Sequence, residues 1–445
     1  MVNPGTMPPR PIFKTLLNRS WAVAWPMTLI MVFEFLITFA DVYIAGQIGK
    51  EVQAAYGFVV QIYFIFTVLA NALTVGTVSV VSRLCGERDN DTYASTLFSV
   101  VLTTTVLGIF LSLGGILLSP WVLEISNVPE VVKTYGRPLI LIYAGGLLFH
   151  YVLINTNGIL RACEGIKKSL ATMALVCVTN ISLNVFFVFF TPLGFRGIAL
   201  STAASVVLGA ALNLYHLRMF LRKSHRYLKE SIWKIIRIGW PTGLLQVLWQ
   251  AGATALYLIL GALPGDSVAI MAAFTNGYRV ESLIYLPAFA FNMANAVIVG
   301  NFLGKKEREE AYRGGLTTAA MGTAIVSILT VAVILNARWV SALLSDNPTV
   351  ITEGIGYLTI ALISEPFMAW GVILAGGLNG AGDTRTTMAI VSSAVWGVRI
   401  PLALALGVGL SLGPEGVWWA MNASIFFQTF LITRRYVRRR WMDLD

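Results

Sequence analysis

Six ionisable side chains stand inside long apolar runs of this 445-residue sequence: Glu34, Asp41, Arg279, Glu281, Glu365 and Arg399. A charge within a membrane span is costly and ordinarily faces a cavity or a partner, so each of the six is a candidate for function. Four acids against two bases leave the interior net negative, which suits the handling of cations. Glu34 and Asp41 are seven residues apart. On a helix that spacing returns them to within about 20° of one face, two turns apart. Asn180 and Asn184 share a helical face further along. Carboxylates, amide carbonyls and hydroxyls are hard oxygen donors of the kind that hold alkali cations, and a lone buried carboxylate is also suited to take up a proton. The two asparagines have a second reading as polar glue between helices. Glu281 and Glu365 lie near mid-span by residue count. Either they serve a cationic ligand or they neutralise Arg279 and Arg399, because an unpaired buried base is costly. Arg279 and Glu281 are only two apart and do not face each other on a helix, so any such pair has to form between helices.

The elements that carry these residues follow from composition. Hydrophobic residues make up 56% of the chain and charged ones 12%, with a mean hydropathy of +0.73. Globular domains average roughly 25% charged residues, so the surplus apolar surface must face lipid. A helix needs about 20 mainly apolar residues to cross the hydrocarbon core. About twelve stretches meet that length, near 17–44, 52–80, 94–118, 134–160, 167–190, 195–221, 235–262, 268–300, 313–336, 352–378, 385–409 and 414–434. Their continuous apolar character excludes a barrel, whose strands alternate. The fold class is therefore all-α and integral to the membrane.

Charge sets the orientation. Of the 32 Lys and Arg residues, Lys50, Lys133, Arg137, Arg196 and Arg338 fall on one side, Arg279 and Arg399 fall within spans, and all the others fall on the side of both termini. The positive-inside rule then places both termini in the cytoplasm of a multi-pass inner or plasma membrane protein. It also accounts for the net charge of +10 without any nucleic acid. The basic segment Arg218 to Arg237 and the tail Arg434, Arg435, Arg438, Arg439, Arg440 come to lie where anionic lipid headgroups are. The loop charges Glu87, Arg88, Asp89, Lys305, Lys306, Glu307 and Arg308 read as a solvated face. Cys85, Cys163 and Cys177 match no metal spacing and read as structural thiols, not as a disulfide framework. With three histidines, of which only His150 is deep in a span, there is no clustered metal or acid–base constellation, and an enzyme is not expected. His150 itself reads as a packing residue. The apolar run behind Arg10, Lys14 and Arg19 is too long for a cleaved signal and reads as a retained first span.

The chain also repeats itself. Pro26 and Gly46 recur as Pro241 and Gly261, LRACEGIKKSLA from Leu160 as LNGAGDTRTTMA from Leu378, and LGFRGIALSTAAS from Leu193 as LGPEGVWWAMNAS from Leu412. Matches in the same order signify duplication. The expected organisation is an N-lobe of spans 1–6 (residues 1–225) and a C-lobe of spans 7–12 (residues 226–445). These form two six-helix bundles in a parallel 6+6 repeat around a central cavity.

These elements resemble the multidrug and toxic compound extrusion (MATE) family over the whole chain: Pro26 with Asp41 and Gly46-Gln-Ile-Gly49 in the first span, the Gly86 and Gly304 loops, and the repeated loops quoted above. The resemblance implies a secondary antiporter that expels organic cations and amphipathic drugs in exchange for Na⁺ or H⁺, with no other cofactor. No G-x-x-x-x-G-K-[ST] loop for ATP occurs. It further implies that Asp41 is the ion-coupling aspartate, completed by Asn180, Asn184 and Thr202, with Na⁺ as the metal such a set would hold. Some members carry a second aspartate at the position of Asn184, and Glu34 stands in as a substitute carboxylate. In the C-lobe only Glu365 matches a tenth-span acid of the family. The seventh span offers Gln246 and Gln250 where an acid would be, and Glu281 takes its place. Pro26 is expected to be a hinge, and the protein a monomer. The alternative within the wider superfamily is a flippase for a lipid or lipid-linked sugar, which usually has more spans and an arginine-rich cavity.

Overall fold

The computed structural model describes residues 12–87, 90–126, 128–163, 165–264 and 266–443. Arg10, Arg88 and Asp89 of the sequence reading lie outside them. Among the described residues the chain is almost wholly helical, without a strand. The helices are α1 Ile12–Ile48, α2 Lys50–Glu87, α3 Asn90–Ile125, α4 Glu130–Ala162, α5 Ile166–Phe190, α6 Arg196–Lys223, α7 Lys229–Gly261, α8 Ser267–Gly304, α9 Arg308–Leu335 and the short α10 Ala337–Leu344, followed by α11 Pro348–Gly380, α12 Thr384–Gly409 and α13 Gly413–Val437. Apart from α10, they correspond one to one with the twelve expected spans. Eleven are long and apolar enough to cross a membrane. The twelfth, α13, is diluted by Asn422, Ser424, Gln428 and Thr429, all buried.

By packing, the chain forms two compact units, Leu29–Gly243 and Met1–Thr28 with Leu244–Asp445. The repeat boundary near residue 226 and these packing boundaries are different quantities. The packing boundaries fall inside continuous helices, shortly after Pro26 in α1 and after Pro241 in α7. In the Leu29–Gly243 unit α4 is the inner helix, 61% buried over its most apolar stretch against 22% for α3. It packs on α2, α3 and α6, and α5 packs on α6. In the other unit α8 and α11 are the inner pair, each 61% buried, around a core that includes Phe274, Tyr357 and Trp418.

The α8–α11 contact is made by backbone. A Cβ at Gly376 would lie 2.1 Å from the carbonyl oxygen of Asn292, and one at Gly380 2.1 Å from that of Ala296. This small-xxx-small spacing lets two membrane helices touch directly. Gly380→Ala has to push α8 away, a cost of about 1–3 kcal/mol by overpacking. Its thermal midpoint in detergent should fall clearly below wild type, and an unchanged midpoint would contradict the close approach.

Two helices are irregular where they carry charge. The last turn before Glu365 tightens to a 3₁₀ turn at Ala361–Ser364, and Pro366 follows. Helix α12 widens to π-helix at Ser393–Arg399 and again at Leu404–Gly409, on either side of Pro401. Such departures re-aim side chains and recur at functional positions.

Three expectations are corrected. Cys85 and Cys163 are joined in a disulfide, with Cα atoms 6.0 Å apart, because the ends of α2 and α4 adjoin; Cys177 remains a buried free thiol. Arg161, counted in a loop, belongs to the last turn of α4 and is buried. The tail arginines are not all left for lipid: Arg435 pairs with the buried Asp383 at 2.6 Å and Arg439 with Glu309 at 2.8 Å, while Trp441 packs fully buried beside Tyr436.

Candidate functional site

The Leu29–Gly243 unit holds a closed polar cluster around Asp41. Its carboxylate is buried, and three side chains donate to it: Asn184 Nδ2 to Oδ1 at 2.7 Å, Thr202 Oγ1 to Oδ2 at 3.1 Å and Tyr56 Oη to Oδ2 at 3.3 Å. Asn180 Nδ2 in turn donates to Thr202 Oγ1 at 3.1 Å. Helices α1, α2, α5 and α6 thus converge on one acid. Tyr143 of α4 lies against Tyr56 and Thr202 and completes the wall. The amide oxygens of Asn180 and Asn184 are fully buried and accept no hydrogen bond among the described residues. Buried acceptors are ordinarily satisfied, so two orphans beside a carboxylate mark an oxygen-lined place for a positive charge. The donor set fits Na⁺ and fits a proton.

Four of the five residues expected here are therefore together. Glu34 is not one of them. Glu34 is exposed on the surface of its unit and not enclosed with Asp41, and the charge acting on it is that of the buried Arg161, whose Nε donates to the carbonyl of Asn157. The seven-residue spacing gave the right helix face, but Asp41 turns into the α5–α6 wall while Glu34 does not. Sequence reasoning missed Tyr56 and Tyr143. A tyrosine hydroxyl in an apolar run was the available signal, but fifteen tyrosines carry it equally.

The second unit holds its own acidic site. Glu281 of α8 is buried and accepts from the hydroxyls of Tyr285, one turn on, and Tyr357 of α11. Glu365 lies beside it, fully buried, with neither carboxylate oxygen receiving a sound hydrogen bond among the described residues. Like charges this close cannot both stand uncompensated in a buried site, so the pair needs a proton or a cation between them. The arginines do not supply it. Arg399 donates from Nε to Ser424 at 2.9 Å and sits over the Trp249 ring at 5.2 Å, acting on Glu365 only at a distance. Arg279 is exposed and makes no ion pair among the described residues. Of the two readings open from sequence, the acids are not neutralised by direct pairing with these bases. Gln250 is exposed and is not joined to the acids. His150 accepts or donates at Nδ1 to the Tyr63 hydroxyl, a contact within the α2–α4 packing.

A family model decides what kind of protein this is. The MatE model matches residues 26–186 and again 241–405, so each copy begins at one of the repeated prolines. The chain belongs to the MatE family. Among curated relatives, the MatE chain is 22% identical to the uncharacterized transporter YisQ of Bacillus subtilis, over 95% of this chain and 94% of that one. It is 23% identical to a probable multidrug resistance protein NorM of Mesorhizobium japonicum, over 98% and 97%. Among solved structures, it superposes on a Vibrio cholerae MATE transporter VcmN variant with a TM-score of 0.89 at 19% identity, covering 96% of this chain and 98% of that chain. A Pyrococcus furiosus transporter of the MOP superfamily gives 0.86 at 19% identity, covering 96% of each chain. The fold is therefore that of the MATE transporters, and this MatE chain is a multi-pass membrane transporter of the multidrug efflux family.

Proposed function

We propose that this MatE protein is a secondary active antiporter that exports organic cations or amphipathic drugs in exchange for Na⁺ or H⁺, working as a monomer by alternating access of its two lobes. The observation that carries this reading is the buried Asp41 with its three donors and the two unpartnered amide oxygens of Asn180 and Asn184. The carboxylate holds its three donors without an ion, and the two amide oxygens are left for one, so its occupancy can bias one conformation over another, and a coupling ion works by such differential binding. In this reading Asp41, Asn180, Asn184 and Thr202 take the ion, and Glu281 with Glu365 takes the cationic substrate. Glu34 and Gln250, both exposed, act at most through the field they set. Pro26 serves as the hinge, supported by a packing boundary that falls just after it within an unbroken helix. Both termini lie on the cytoplasmic side of the inner membrane, and the substrate leaves the cell as the ion enters down its inward gradient.

The test is efflux of a fluorescent organic cation from proteoliposomes, driven separately by a Na⁺ gradient and by a pH gradient. Efflux under one gradient and not the other is expected, and it names the ion. Absence of efflux under both, from protein that elutes as a folded species, would overturn the antiporter reading.

Glu34→Gln is expected to change the apparent affinity for a monovalent cation by only a few-fold, a surface-type electrostatic effect, with the choice of ion unaffected. Uncoupling as complete as that of an Asp41 substitution would place Glu34 in the same site.

A further inference from the structure

The first half of α7 has two unlike faces. On one, Ile232, Ile235 and Ile238 are buried against α2, so tightly that a Cβ at Gly239 would lie 2.3 Å from the carbonyl oxygen of Ala72 and one at Gly76 2.1 Å from that of Ile235. That face is committed. The other carries Lys229, Trp233, Ile236, Arg237 and Trp240, recurring at helical spacing and all exposed, with Trp233 67% and Trp240 43% accessible.

Cations crowd the same place. Arg222, Arg226, Lys229, Lys234 and Arg237 are exposed, and among the described residues none of them forms an ion pair; Glu230 is the one acid in the sequence from Arg218 to Gly243. Neighbouring cations are already engaged: Lys223 pairs with Asp91 at 2.9 Å, and Arg218 stacks on Tyr215 at 3.7 Å. The unpaired positive charge of this segment thus runs from Arg222 at the end of α6, through the turn, into the first three turns of α7. A soluble anion has no use for tryptophans, and a protein partner would have to compete with the bilayer for a face on the end of a spanning helix. Indole rings set among lysine and arginine at such an end match the boundary between acyl chains and headgroups.

We propose that this face of α7 is a binding site for anionic phospholipid, with Trp233 and Trp240 against the upper acyl chain and glycerol region and Arg226, Lys229, Lys234 and Arg237 around the headgroup phosphate. The chain passes from one packing unit to the other just beyond this segment, after Gly243, so a lipid held here anchors the stretch that connects them. The site makes no use of the proposed ion or substrate.

The test uses the purified full chain in detergent, titrated with phosphatidylglycerol or phosphatidylcholine and read by native mass spectrometry, for wild type, Lys229→Gln/Lys234→Gln/Arg237→Gln and a control, Lys305→Gln/Lys306→Gln. Each cation near a headgroup contributes about 1 kcal/mol, or roughly five-fold, so the triple variant should weaken phosphatidylglycerol retention on the order of 100-fold. The control should bind as wild type, and phosphatidylcholine should bind weakly throughout. Should the triple variant fail to fold, the single variants Trp233→Ala and Lys229→Gln, each at an exposed position of the outer face, are read in the same way. Equal retention by the triple variant and wild type would overturn the proposal, as would equal retention of the two lipids by wild type. Displacement by inorganic phosphate at matching concentration would replace the lipid with a soluble anion and overturn it too.

Discussion

Asp41→Asn is expected to reduce gradient-driven efflux to the rate of empty vesicles while leaving the fold intact. The substitution is isosteric, and the surrounding donors allow it. The new carbonyl can face Asn184 Nδ2, which donates to Oδ1 at 2.7 Å. The new amide can face the hydroxyls of Thr202 and Tyr56, which rotate from donor to acceptor. Every hydrogen bond survives in number, so the stability change should stay within about 1 kcal/mol, the net worth of one such bond. What disappears is the negative charge, and with it the ability to take a proton or to balance Na⁺ beside the orphan oxygens of Asn180 and Asn184. Efflux in proteoliposomes alongside a thermal melt checks both halves. Intact efflux would remove Asp41 from coupling, and a collapsed fold would make it a structural pin.

The two acids of the other unit should respond with opposite signs. Glu365 is fully buried and its oxygens receive no sound hydrogen bond, while the neighbouring Glu281 charge opposes it. Glu365→Leu removes an uncompensated polar group of similar volume. By analogy with buried charges replaced by hydrophobes, it should stabilise by about 1–4 kcal/mol and raise the thermal midpoint. Binding of an organic cation should weaken in the same variant, because stability has been traded for a functional charge. Glu281→Leu does the reverse: it strands the hydroxyls of Tyr285 and Tyr357. Each unsatisfied buried group costs about 1–3 kcal/mol, and the midpoint should fall. Scanning fluorimetry of both variants decides the matter. A drop for Glu365→Leu would mean that its carboxylate is satisfied and that the site is structural.

The spans were legible because hydropathy over twenty residues is a strong, local signal. The duplication was legible because Pro26 and Pro241, with the repeated loops, stand in register. Asp41, Asn180, Asn184 and Thr202 were found by resemblance, and the spacing of the asparagines agreed with a shared face. What sequence could not resolve depends on how helices rotate against each other. Glu34 shares a face with Asp41 by periodicity yet ends in the field of Arg161, a residue that hydropathy had assigned to a loop. Tyr56 reaches Asp41, and Tyr143 reaches Tyr56 behind it, only because residues of α1, α2 and α4 meet in one cluster. Cys85 and Cys163 are 78 residues apart in sequence, and only the meeting of two helix ends brings their Cα atoms within 6.0 Å. The pairing options of Arg279 and Arg399 were equally a matter of rotation, and Ser424 and Trp249 took Arg399 instead.

The most direct test of ion coupling at Asp41 reverses the direction of drive. Proteoliposomes with no imposed ion gradient receive a gradient of an organic cation, and the movement of radiolabelled Na⁺ and of protons is followed for wild type and Asp41→Asn. Wild type should drive one of the two ions in the opposite direction to the organic cation, and the variant should drive neither. Ion movement in Asp41→Asn at the wild-type ratio to substrate would contradict the account.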